Sequence, residues 1–231
     1  MKSNWVLKES SHHFLTERCV ICKAKLLSNE QGVCLQCIYE LPRTNNFNKP
    51  NNDIEILLAG RFPFVRIAAF SIFTKEGYLQ SLVHELKYNN KPFIGELIGN
   101  IFGADMLQSS FINTVDVIVP VPLHPIKKAI RGYNQAETFA KGLSQATSIP
   151  FSVEELIRII HNPTQTKLSK SQRWENVEGI FDVRDICAFK NKHVLLVDDV
   201  ITTGSTIEAS AKALLKCNNV SISVATIGEV F

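Results

Sequence analysis

The chain has 231 residues, 45% of them hydrophobic and 20% charged, with a formal net charge of +3. These values exclude disordered, collagen-like and coiled-coil chains, and so small a charge excess predicts neither nucleic-acid nor membrane binding by itself. Against a prior of roughly 100 to 200 residues per domain, the length predicts one large domain or a medium domain with a small appendage.

At the amino terminus, Lys8, Glu9, Ser10, His12 and His13 interrupt the few apolar side chains, which leaves no signal-peptide core. No run approaches the ~18 apolar residues of a membrane-crossing helix, so the expected location is the cytoplasm, without membrane insertion. Cysteines in that setting are read first as metal ligands or buried thiols. Four of the six fall as Cys19-x-x-Cys22 and Cys34-x-x-Cys37, each pair placing two thiolates on one side of a tight turn. Four thiolates match tetrahedral zinc, although the spacer is shorter than the commonest zinc-ribbon separation. A redox dithiol is the rival, weakened by the second matched pair and by the absence of a following βαβ unit. A segment this short needs such a metal, because its apolar burial cannot offset chain entropy. Residues 1–44 are therefore expected to form a zinc-ribbon-like module, with 45–60, rich in asparagine around Pro50, as linker and 61–231 as the larger domain. Cys187 and Cys217 stand alone and read as inert buried thiols.

Residues 65–73, β-branched and aromatic, predict a strand. Leu79, Leu82, Val83 and Leu86 recur at helical spacing, as do Ile94, Leu97, Ile98 and Ile101, and predict two helices. The apolar run 115–119, ended by Pro120, suits a buried parallel strand. Ala136, Phe139, Ala140 and Leu143 mark another helix. Runs at 156–160 and 194–197 flank a polar, basic stretch, 161–176. A helix opens at Ser205, Asn218 and Asn219 stop it, and 220–224 forms a closing strand. The alternation predicts an α/β fold, a mostly parallel twisted sheet flanked by helices.

The sharpest motif runs from His193 to Thr206. A buried strand ends in Asp198 and Asp199, and the small residues Thr202, Thr203, Gly204, Ser205 and Thr206 then open a helix. Ligands of open α/β sheets bind beyond the carboxyl ends of strands, and a helix start offers unpaired N–H groups with a positive dipole end. This turn suits a phosphate. Two carboxylates would repel that phosphate unless they hold vicinal sugar hydroxyls or a divalent cation. The pattern therefore points to a sugar 5-phosphate with free 2- and 3-hydroxyls. A Walker-B strand is the competing reading, and the chain has no G-x-x-x-x-G-K-[ST] to support it.

Residues 194–206 resemble the thirteen-residue fingerprint of type I phosphoribosyltransferases, which bind phosphoribosyl pyrophosphate (PRPP). The resemblance extends to the paired cysteine motifs, Leu86-Lys87-Tyr88, Val119-Pro-Val-Pro122, Arg131-Gly-Tyr-Asn-Gln135, Gln165-Thr-Lys-Leu168 and Arg173-x-x-Asn176-Val-x-Gly-x-Phe181, which together are similar to the ComF-like competence family. It implies that Asp198 and Asp199 hold the ribose hydroxyls, directly or around Mg²⁺, and that Thr202 to Thr206 cradle the 5-phosphate. It also implies a setting in DNA uptake or nucleotide salvage, with single-stranded DNA or DNA-processing proteins among the expected partners.

Such a transferase releases pyrophosphate from a cationic, oxocarbenium-like sugar, a reaction that needs cations and backbone donors aimed at the leaving group. One loop after residue 119 carries Lys127, Lys128 and Arg131 and resembles the pyrophosphate-side loop; Arg131 leads because it sits in the matched motif. Lys127 and Lys128 read first as a solvated pair. The second loop, 162–176, carries Lys167, Lys170 and Arg173 and resembles the mobile loop that closes over PRPP. Tyr133 and Trp174 lie in these loops and read first as packing residues. No histidine is assigned a catalytic part, with His124 kept in reserve. The acceptor base is open; a hood to recognise it would come from 54–112. The rival reading is a non-catalytic PRPP or nucleotide sensor, or a DNA-associated adaptor.

Overall fold

Among the described residues, four parallel strands form the main sheet: β1 (Ile67–Ile72), β2 (Val117–Pro120), β5 (His193–Ile201) and β6 (Ser221–Glu229), in the order β1-β6-β5-β2. The computed structural model describes residues 18–159 and 179–230. In β5 the segment 194–197 reads as an unbroken apolar run because both sheet faces are covered, whereas the other inner strand, β6, buries Ser223 and Thr226 among its apolar residues. Successive side chains point to opposite sides, so Leu195 and Val197 join one buried cluster, while Val194 and Leu196 join a second. The first cluster packs under α3 (Tyr78–Tyr88), α4 (Phe93–Met106) and α6 (Gln135–Thr147); the second packs under α2 (Asp53–Leu58) and α7 (Ser205–Leu214). This is the mostly parallel, helix-flanked α/β sheet that the alternation predicts.

The predicted helices are present, and α4 and α6 approach closely. A Cβ added at Gly99 would strike the backbone of α6, and one at Gly142 would strike the backbone of α4. Three differences from the sequence reading concern strands. The apolar run at 156–160 yields β3 (Leu156–Arg158), which pairs antiparallel with β4 (Phe181–Val183) outside the main sheet. β5 does not stop at Val197 but continues through both acids to Ile201, because β6 runs on to Glu229 beside it. β6 in turn extends well past residue 224, since β1 supplies partners on its other side.

Shorter helices add to this frame: α1 (Leu35–Tyr39), α2 and α5 (Pro125–Arg131). Within the asparagine-rich stretch, Asn46 is buried; its carboxamide donates to Glu229 Oε2 at 3.0 Å and accepts from the Ala69 amide at 3.0 Å. Asn52 caps α2 by accepting from the Glu55 amide at 3.1 Å. Residues 45–60 are thus fastened to β1 and β6. Among the described residues, no helix is long and apolar enough to cross a membrane.

Candidate functional site

The acids sit toward the carboxyl end of β5, just past its last pairing with β2 and still beside β6, and strand alternation sends them different ways. Asp199 reaches toward α3, where Lys87 Nζ lies 2.9 Å from its Oδ2. Asp198 shares the parity of Val194 and Leu196 and interacts electrostatically with Arg158 of β3 as well as with Lys87. Burial, then the charge of Asp199, pushes the Asp198 carboxyl up to about 7, while Lys87 and Arg158 pull the other way. Its Oδ1 also accepts from the Asp199 amide at 2.8 Å. The pair offers hard oxygen donors, which fit sugar hydroxyls or a divalent cation.

The turn that follows is left-handed at Gly204, with φ of 74°, and α7 opens on the next residue. Thr202, Thr203 and Thr206 are exposed, and the Thr203 and Ser205 hydroxyls meet at 3.0 Å. The first-turn N–H groups of α7 have no acceptor within the helix, which leaves donors and a positive dipole end beside the acids. Glycine is required at 204 for two local reasons: the backbone is left-handed, and a Cβ would collide with Leu58 of α2. Arg61, just beyond α2, donates to the Thr203 carbonyl at 2.6 Å and pairs with Glu208 of α7.

On the Asp199 side, a cleft of about 540 Å³ lies between the end of α3 and α5. Lys87, Tyr88, Lys127, Ile130 and Arg131 line it. Arg131 donates to Gln135 Oε1 at 2.9 Å, and its guanidinium lies 5.5 Å from the centre of the Tyr88 ring. The Tyr133 hydroxyl donates to the Leu86 carbonyl, and Asn134 donates to the Val121 carbonyl at 2.9 Å, so the loop after β2 is tied to both neighbouring elements. His124 caps α5 by accepting from the Ile126 amide at 3.2 Å.

The sulfurs of Cys19, Cys22, Cys34 and Cys37 all lie within 4.8 Å of one another. A tetrahedral zinc with Zn–S bonds of about 2.3 Å separates its sulfurs by about 3.8 Å, so the four fit the ion after small adjustment. Lys23 takes a left-handed φ of 63°, which turns the first pair, and the Cys34 amide donates to Cys19 Sγ at 3.4 Å. Burial, then the neighbouring cysteines, pushes the Cys37 thiol up. A dication would favour the deprotonated ligands. The cluster is compatible with a structural zinc.

Of the residues singled out from sequence, Asp198, Asp199 and the turn from Thr202 to Thr206 are contiguous. Arg131 joins them through Lys87, which both pairs with Asp199 and walls the Arg131 cleft. Lys128 pairs with Glu137 at 3.3 Å, whereas Lys127 lines the cleft. Lys167, Lys170, Arg173 and Trp174 lie outside the described residues. The sequence reading assigned no part to Lys87, Arg158 or Arg61. Only Lys87 carried a signal, as the centre of the Leu-Lys-Tyr motif.

A parallel sheet between two helical layers, paired acids at the end of an inner strand and a glycine-led helix start define the class of protein. Residues 110–229, just over half of the chain, match the phosphoribosyl transferase domain family. Competence protein F of Haemophilus influenzae is 26% identical over 215 residues, spanning 88% of this chain and 93% of that protein. The DNA utilization protein YhgH of Salmonella typhimurium is 27% identical over 209 residues, spanning 89% and 87%. Among solved structures, the glutamine PRPP amidotransferase from B. subtilis complexed with ADP and GMP aligns with a TM-score of 0.42 and 22% identity, over 61% of this chain and 30% of that one. The chain belongs to the ComF-like type I phosphoribosyltransferase family.

Proposed function

We propose that the chain is a phosphoribosyltransferase that binds PRPP with Mg²⁺ and transfers the phosphoribosyl group to an acceptor base. The single observation that supports this most is the succession Asp198, Asp199, Gly204 turn and α7 start on one strand end, flanked by the Lys87 and Arg131 cleft. In this reading the 5-phosphate takes the N–H groups and hydroxyls of residues 202–206, and the two carboxylates accept from the ribose hydroxyls. Mg²⁺, when bound, would neutralise charge on PRPP next to Asp198 and Asp199.

The bond from the sugar C1 to the pyrophosphate oxygen breaks, pyrophosphate leaves with the electron pair, and a nucleophilic atom of the acceptor bonds to C1 and gives up its proton. Arg131, Lys127 and Lys87 would stabilise the departing charge, while the two carboxylates stabilise the cationic sugar. Lys167 and Arg173 belong to the same proposal as the cations of the second loop.

The zinc-bearing module over 1–44, the connector over 45–60 and the transferase domain over 61–231 complete the reading. The cytoplasm is the proposed location. The names of the relatives support a place in DNA uptake or use, and single-stranded DNA or DNA-processing proteins are the proposed partners.

Calorimetric titration with PRPP and Mg²⁺, followed by a screen of acceptor bases for pyrophosphate release, tests the proposal. Saturable binding with release dependent on one base is expected. Binding without turnover across all common bases would make the chain a sensor, and absence of binding would remove the PRPP site.

A further inference from the structure

The segment after α2 lies outside the residues that match the family domain, yet it touches the proposed phosphate turn. Arg61 Nη1 donates to the carbonyl of Thr203 at 2.6 Å. The same guanidinium holds Glu208 Oε2 through Nε at 2.8 Å and Nη2 at 2.6 Å, and Lys212 holds the other carboxylate oxygen at 2.9 Å. Glu208 would otherwise set an uncompensated negative charge in the first turn of α7, next to the turn. Leu58 packs against the same wall, where it meets the position of any Cβ on Gly204.

A planar trans peptide points its carbonyl and the following N–H in opposite directions. An anchor that draws the Thr203 carbonyl toward Arg61 therefore turns the Gly204 N–H away from α2. Without it, a glycine-containing turn has little to stop that peptide from flipping. The neutralised Glu208 alone would not have this effect, because it leaves the peptide free.

We propose that Arg61 is a positioning residue for the sugar 5-phosphate: it fixes the Thr203–Gly204 peptide so that the Gly204 N–H faces the anion. The inference rests on the PRPP reading above. It gives the segment just after the connector a part in ligand binding and makes the phosphate subsite dependent on a residue that never touches the ligand.

The test compares binding of ribose 5-phosphate and of Mg²⁺-pyrophosphate to the full chain. Arg61→Ala is expected to weaken ribose 5-phosphate about tenfold or more, the scale of a lost hydrogen bond to a charged group, with pyrophosphate changed less than about twofold. The Gly204 amide resonance should move downfield with ribose 5-phosphate in the native chain and stay put in the variant. Arg61→Ala combined with Glu208→Gln should keep the loss, and methylguanidinium should restore part of it to the single variant. If Arg61→Ala folds poorly, Arg61→Lys, which retains a cation for Glu208 but not the forked donor, should show the same selective loss. Equal affinity in variant and native chain overturns the proposal, as does a parallel loss of both ligands or recovery in the double variant. A native chain that binds neither PRPP nor ribose 5-phosphate overturns the underlying reading as well.

Discussion

Asp198 makes the site sensitive to pH, and the sign follows from its environment. Its pKa rises from an ordinary 3.8 to about 7, chiefly through burial. Between those values the folded chain keeps a proton that the unfolded chain has lost, so this residue's contribution to stability is full below the lower value and declines as pH rises through the upper one. Ribose hydroxyls and a dication prefer the carboxylate, so PRPP affinity in Mg²⁺ should climb between pH 6 and pH 8. Asp198→Asn should weaken binding about 10- to 100-fold at pH 8, on the scale of hydrogen bonds to a charged group. The gap should narrow at pH 6, where the native side chain is largely protonated. Dissociation constants for both chains at the two pH values check this; a ratio that stays at one removes Asp198 from the site. The acids were legible in the sequence because they adjoin an apolar run and a small-residue turn. Lys87 was legible only as part of a motif and Arg61 not at all, because no spacing rule joins a helix end or the segment before β1 to a strand far along the chain.

The turn between β5 and α7 is the element on which the site depends. Gly204→Ala would force a side chain into a left-handed backbone, at a cost of about 1–2 kcal/mol, and push a methyl group into Leu58. The combined loss should be about 2–4 kcal/mol in denaturant unfolding. Leu58→Ala in the same chain should recover the steric share, so the two losses should add to less than their sum; strict additivity would separate the two positions. The sequence reading placed this glycine in the turn without its neighbour, since a partner from α2 leaves no local trace. The core of β5 and the long helices were readable from a continuous apolar run and helical spacing. Helices α2 and α5 are shorter than two full turns and give too few residues to establish a period. β5 outran its apolar run because its neighbour, not its own composition, determines where pairing ends.

For the whole molecule, the cysteine segment is more than an appendage in packing terms. Val20, Leu26, Val33 and Leu41 share one buried cluster with Leu82, Leu86 and Phe102, whereas the cluster on the other sheet face draws nothing from residues 18–41. Cys22→Ser should therefore release the metal and loosen the first forty residues while the sheet and its second face stay folded. Zinc content by atomic absorption should fall from one equivalent per chain toward none, and limited proteolysis should cut within residues 18–41. A native chain that carries no zinc when prepared without chelators would end the metal assignment.

β6, the last of the sheet's four strands to be synthesised, lies inside it, with β1 on one edge and β5 on the other. As the chain leaves the ribosome, β1 must wait with one of its edges unpaired until some 150 further residues have emerged, since Ile67 finds its mate only in Val224. Contacts so remote in sequence make for slow closure and a long interval in which bare strand edges could recruit foreign chains. The strap from Asn46 and Asn52 joins β1 to residues close before it in sequence and covers its other edge, so that edge needs nothing that is made later.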